Sequence, residues 1–225
     1  MKVVVAIDSL KNSLTSVEAG RAIEAGVRKA YGGHPVQAIV KPLADGGEGT
    51  VEALVDGLNG QLRYVGVQGP LGEAVSCPYG YLPGMETAVI EMAGAAGGMG
   101  FAFLAYLNGR LRSGIQIVLD SIRLADAVKD ADYVITGEGR LDAQTAMGKA
   151  PIGVAKLAKQ YGAKVIALAG CTTADAAECN RQGIDAFFSI VDKAMPLEEA
   201  MNKETALRNM TNTAQQVFNL IRAVS

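Results

Sequence analysis

Short apolar runs alternate with amphipathic stretches along the whole chain. Eight runs have strand character: 2–8, 37–43, 62–68, 77–83, 87–93, 132–137, 164–170 and 185–191. Apolar residues at three- and four-residue spacing predict helices over 15–31, 49–58, 98–108, 115–129, 145–161, 174–182 and 196–222. Runs such as VVVAI and VIALA are apolar at every position, as in a parallel sheet covered on both faces. Repeated strand–helix–strand order closes through right-handed crossovers. The fold predicted is α/β: a doubly wound, mostly parallel sheet with helices on both faces.

Residues 62–93 break the rhythm. Three strand-like runs follow closely there, with turns at Gly69-Pro70-Leu71-Gly72 and Pro83-Gly84, which predicts a short antiparallel excursion. Helix starts carry fitting caps. Thr15 or Ser16 precedes Glu18, Asp142 precedes the helix that contains Lys149, and the segment from Pro196 opens with Leu-Glu-Glu. The apolar positions of 203–222 are spaced to cover a sheet face.

Bulk composition narrows the function more than the fold. The 225 residues are 49% hydrophobic and 20% charged, which suits a globular domain with a proper core. A net charge of −2 gives no electrostatic footprint for nucleic acid or an anionic membrane. The first apolar run ends after five residues, at Asp8, too short for a leader or a membrane span. Cys77, Cys171 and Cys179 lack paired spacing and read as buried reduced thiols, so a cytoplasmic location is expected. The single histidine, His34, sits in a turn-like GGHP and suggests no nucleophile chemistry.

The candidate chemistry lies where strands end. The first strand runs into Asp8, Ser9, Lys11 and Ser13. The second ends in KPLADGGEGT, with Asp45, Gly46, Gly47, Glu48 and Thr50. The run YVITGEGRLDAQTAMGKAP carries Glu138, Arg140 and Asp142, with Thr145 and Lys149 beyond. In an open α/β sheet the strand carboxyl ends line one edge and ligands bind there, so the three loops are expected at one rim. Their glycines allow close backbone approach. Helix N-termini offer N–H groups to an anion, yet the carboxylates would repel a bare phosphate unless Mg²⁺ or a hydroxyl-bearing substrate intervened. Lys11, Arg140 and Lys149 could grip a carboxylate or phosphoryl group. Acids that orient or deprotonate a hydroxyl, beside cations that hold an anion, describe phosphoryl transfer to a small hydroxy acid, and suit a kinase better than a hydrolase. Each loop alone also reads as a capped helix start, and Lys149 alone as a solvated helix charge. The glycine-rich GAAGGMG at 94–100 lacks Gly-x-Gly-x-x-Gly spacing and gives no dinucleotide site.

The sequence resembles the class I glycerate kinase family in VVVAIDSLKNSLTSVEAGRAI, PLADGGEGTVEALV, GPLGEAVSCPYGYL, TAVIEMA, GMGFAFLAYLNGRLRSGIQIVLD, YVITGEGRLDAQTAMGKAPIGVA and KVIALAG. The resemblance spans nearly the whole chain. It implies phosphorylation of D-glycerate by ATP with Mg²⁺, and small-molecule partners only. One departure stands out. Family members carry a second domain between the segments resembling TAVIEMA and GMGFAFLAYL, and neither that domain nor its glycine-rich segment is present. Residues 93–98 are therefore expected to be a seam in a single α/β domain made of 1–93 and 98–225.

In the family the site resembles a cleft between two domains, so this chain would hold one wall. On this reading Asp45 and Glu48 orient substrate hydroxyls, one of them serving as base. Lys11 and Arg140 hold carboxylate or phosphate. Asp8, Glu138 and Asp142 serve Mg²⁺ or hydroxyls, and Ser9, Gly46, Gly47 and Thr50 line the substrate. The ligands of any metal are left open. Alternatives are an inert scaffold, which an apolar patch at 92–105 would favour and which could pair as a homodimer, or a binding module for a sugar acid or nucleotide.

Overall fold

The computed structural model describes residues 1–43, 51, 55, 59–68, 74–90 and 113–224. The chain divides into two compact units, one formed by Met1–Leu43 with Ile122–Ser225 and the other by Ala44–Ser121. In chain order the described elements begin with β1 (Lys2–Val5), α1 (Ser16–Tyr31) and β2 (Gln37–Val40) in the first unit. The second unit holds β3 (Gln61–Gln68), β4 (Ala74–Leu82), β5 (Thr87–Val89) and α2 (Gly114–Ser121). The first unit resumes with α3 (Leu124–Val128), β6 (Tyr133–Thr136), β7 (Arg140–Leu141), α4 (Ala143–Ala146), α5 (Ala150–Gln160) and β8 (Lys164–Ala169). It closes with β9 (Cys171–Thr172), α6 (Glu178–Arg181), β10 (Ala186–Ser189), α7 (Leu197–Met201) and α8 (Lys203–Val224).

Five parallel strands form the core of the first unit, in the order β10-β8-β6-β1-β2. Side chains alternate across this sheet. Val3, Val5, Ile7, Ile135, Ile166 and Leu168 share one face with the buried residues of α1 and α8. The two helices pack along one another. Ala206, Met210, Ala214, Val217 and Phe218 form the buried stripe of α8, and the Phe218 ring meets Tyr133 edge-on at 5.9 Å. On the opposite face Val4, Val134, Val165 and Ala167 are fully buried, and α5 packs on β6 and β8 with Ile152, Val154, Ala155 and Ala158 buried. Helices thus cover both faces, and the continuously apolar strands follow from that.

Three expected helices are split, each for a local reason. Arg123 takes φ +51° between α2 and α3. Gly148 takes φ +113° between α4 and α5, and Pro151 lies in the first turn of α5, where its missing N–H does no harm. Between α7 and α8, Asn202 Oδ1 accepts from the N–H groups of Glu204 and Thr205 at 3.1 and 3.2 Å and restarts the helix. The Thr15–Glu18 capping box at α1 forms as expected.

In the second unit β3, β4 and β5 make an antiparallel sheet, the predicted excursion. Val51 and Val55 of the expected 49–58 helix are helical and buried. The expected helix 98–108, the seam at 93–98 and the 92–105 patch lie outside the described residues.

Candidate functional site

The chain leaves β1 toward β2 on one side, while β6 lies against β1 on the other. The C-terminal ends of β1 and β6 are therefore a topological switch point. Beyond Val5 the pairing continues, with Ala6 N–H donating to Ile135 O at 2.8 Å and Asp8 N–H to Gly137 O at 3.0 Å. Asp8 is buried, and its Oδ1 accepts from Ser9 N–H at 2.7 Å. The buried Ser16 hydroxyl donates to Ile7 O at 2.6 Å and accepts from Leu43 N–H at 2.8 Å. One hydroxyl thus ties together the chain segments beyond β1 and β2.

The loop after β6 is packed tightly enough to require glycine. Gly137 has φ +153°, and a Cβ there would lie 1.8 Å from Leu168 O. A Cβ on Gly139 would come within 3.7 Å of Lys11 N and 3.8 Å of Leu10 Cα, so this loop lies against the one after β1. Its outer limb, β7, pairs in parallel with β9, Arg140 beside Cys171 and Leu141 beside Thr172. Each strand of that ladder is two residues long, too short to leave a periodic signal in the sequence.

Asp142 caps α4 in a reciprocal box. Its Oδ1 accepts from Thr145 N–H at 3.1 Å, and its own N–H donates to Thr145 Oγ1 at 3.1 Å. The Thr145 hydroxyl, fully buried, donates to Glu138 Oε1 at 2.6 Å. Arg140 Nε donates to Asp142 Oδ2 at 3.2 Å. Lys149 Nζ lies 3.8 Å from Glu138 Oε2 and 3.9 Å from Asp142 Oδ1. Burial works against the Asp142 carboxylate, but the Thr145 N–H, Lys149, the Gln144 N–H and Arg140 together outweigh it and hold its pKa below the ordinary value. Behind it, burial pushes the Cys179 thiol up, and Glu138, Asp142 and Asp175 push it further.

Asp8, Ser9, Lys11, Glu138, Arg140 and Asp142 therefore sit on two adjoining loops at one sheet edge, as the sequence predicts. Lys11 and Arg140 are exposed, while Asp8, Glu138 and Asp142 are buried. Asp45, Gly46, Gly47, Glu48 and Thr50 lie outside the described residues. Lys149 departs from the solvated charge expected of it: it is partly buried beside two carboxylates. Thr145 links both acids, and its signal was its place three residues after Asp142, the return position of a capping box. Cys179 is buried as expected, but Cys171 is exposed and Cys77 partly so. Among the described residues no three His, Cys, Asp or Glu side chains form a group that could hold a metal. No helix among them is long and apolar enough to cross a membrane. The arrangement holds a carboxylate ionised at a rim, with an ammonium and a guanidinium beside it, and can orient a polar, anionic small molecule.

A model of the glycerate kinase family matches residues 3–95 and 93–222. Glycerate kinase of Bacillus subtilis (strain 168) is 29% identical over 378 aligned positions, covering 99% of this chain and 98% of the relative. Those positions exceed the 225 residues available, so a long stretch of the relative has no counterpart here. Glycerate kinase of Haemophilus influenzae (strain ATCC 51907 / DSM 11121 / KW20 / Rd) is 50% identical over 129 residues, which cover 57% of this chain and 34% of that protein. Among solved structures, a Salmonella typhimurium LT2 protein provisionally named glycerate kinase 2 superimposes with a TM-score of 0.73 at 26% identity, covering 99% of this chain and 98% of the other.

Proposed function

This chain belongs to the glycerate kinase family, and from that premise we propose that its β1–β6 rim is one wall of a site for phosphoryl transfer from ATP to D-glycerate. The observation that carries the reading is the contact between the Asp8–Lys11 loop and the Glu138–Asp142 loop at the switch point. Buried carboxylates at that edge suit substrate hydroxyls, and the neighbouring cations suit a carboxylate or phosphoryl oxygen. In the reaction a carboxylate of the site takes the hydroxyl proton as the hydroxyl oxygen bonds to the γ-phosphorus and the bond to ADP breaks. Asp142, held ionised, suits the binding and orientation of a hydroxyl. The resemblance assigns Asp45 and Glu48 to the same work.

The described residues make no resident cage for Mg²⁺. A metal carried on the nucleotide's phosphates needs only one or two protein carboxylates, so Mg²⁺ is proposed to arrive with ATP. The partners on this reading are a small hydroxy acid and a nucleotide in the cytoplasm.

The two matched family segments overlap at residues 93–95, which supports reading 93–98 as a seam in the sequence where the longer relatives continue. Without the opposite wall, positioning and water exclusion are weakened. A displacement of about 1 Å can cost roughly a hundredfold in rate, and turnover is expected to be correspondingly slow. The test is ADP release coupled to a reporter, with and without D-glycerate. Slow, glycerate-dependent release that is abolished in Asp142→Asn supports the proposal. Binding without turnover would make the chain a ligand-binding module, and absence of both would make it an inert scaffold.

A further inference from the structure

Lys149 is a cation where the helix beneath it disfavours one. It stands at the N-cap of α5, makes no side-chain capping bond there, and so adds positive charge to the positive end of the helix dipole. Its ammonium lies 3.8 and 3.9 Å from Glu138 and Asp142, beyond hydrogen-bond reach of either. The two acids hold it by charge without using its N–H donors. The side chain is 35% exposed, and the residues before it, an 85% exposed Met147 and Gly148 at φ +113°, place it at the rim. Arg140 differs: its Nε already donates to Asp142 and its side chain is 64% exposed, a surface pairing of small worth.

We propose that Lys149 binds the anionic group of the ligand at this site, a carboxylate or phosphoryl oxygen, and that Glu138 and Asp142 position its ammonium to do so. The identity of the ligand rests on the phosphoryl-transfer reading; the role of Lys149 in gripping an oxyanion does not. The same two acids make the lysine necessary. With its charge removed, an approaching anion loses the ammonium that faces it and meets the two carboxylates Glu138 and Asp142 instead, so the loss should exceed that of one hydrogen bond.

The test is calorimetric titration of the full chain with D-glycerate, with Mg-ATP and with inorganic phosphate, each alone. Lys149→Met should weaken binding of the oxyanion that uses it by at least about tenfold, while Lys149→Arg, which keeps the charge, should stay within about threefold. The arm that responds identifies the anion. Equal binding by wild type and Lys149→Met in every arm overturns the role of Lys149 and leaves the kinase reading intact. Phosphate binding that depends on Lys149, with no binding of glycerate or ATP, supports the lysine and overturns the kinase reading. No binding in any arm overturns both. Should Lys149→Met fail to fold, lysine acetylation of the wild type followed by mass spectrometry decides: bound oxyanion should protect Lys149 and not the exposed Lys156, and equal labelling overturns the proposal.

Discussion

The hydroxyl of Thr145 donates to Glu138 Oε1 at 2.6 Å, with both side chains buried below the loop that follows β6. A second fully buried threonine, Thr136 at the end of β6, has no hydrogen-bond partner for its hydroxyl among the described residues. The same substitution should therefore act in opposite directions. Thr145→Val strands the buried Asp142 N–H and takes a hydrogen bond from the Glu138 carboxylate, and should cost about 1–3 kcal/mol. Thr136→Val removes a hydroxyl without a partner and should be neutral or stabilising by up to about 1 kcal/mol. Urea unfolding of the two variants at neutral pH checks the contrast.

Gly137→Ala should be among the most damaging single changes in the first unit. The new Cβ would lie 1.8 Å from Leu168 O at φ +153°, and that atom is backbone of the neighbouring β8, which cannot step aside. A loss of more than about 4 kcal/mol is expected, read as loss of soluble protein or of a cooperative thermal transition.

Acid should remove stability carried by depressed carboxylates. A hydrogen bond from Lys203, with bonds from Thr15, lowers the Glu18 pKa to about 2, and Asp142 is also held below its ordinary value. Both groups have folded pKa values below the unfolded ones of about 4. Their contribution is therefore complete above that pH and is lost as pH falls through the folded values, about 2 for Glu18. Urea midpoints measured from pH 6 downward should drop in that window, and Glu18→Gln should flatten the drop.

The two cysteines of the first unit should react at very different rates. Cys171 is exposed on β9, whereas burial and three neighbouring carboxylates raise the pKa of Cys179 and disfavour its reactive thiolate. A thiol reagent at neutral pH should label Cys171 in the native protein and Cys179 only on unfolding. Mass spectrometry of the labelled peptides gives the answer.

Much of this was legible along the chain. The capping boxes at Thr15 and Asp142 involve residues three apart, and such local bonding is written in local sequence. The acidic loops after β1 and β6, the second flanked by Gly137 and Gly139, announced a rim because parallel strands end together. Of the two readings of Lys149, the solvated charge fails because its partner Glu138 is eleven residues away, and the split at Gly148 that places it there interrupts a pattern that reads as one helix.

The sequence by itself determined the element types, the parallel core covered on two faces, the antiparallel excursion and the family, since each depends on periodicity or on contiguous motifs. Only the tertiary structure decided the strand order β10-β8-β6-β1-β2, the β7–β9 ladder, and which cations meet Glu138 and Asp142. The physical reason is range. Periodicity is set by the turn of a helix or the pleat of a strand, whereas β1 pairs with β6 across 130 residues, Val3 beside Tyr133, and a charge finds its partner through space.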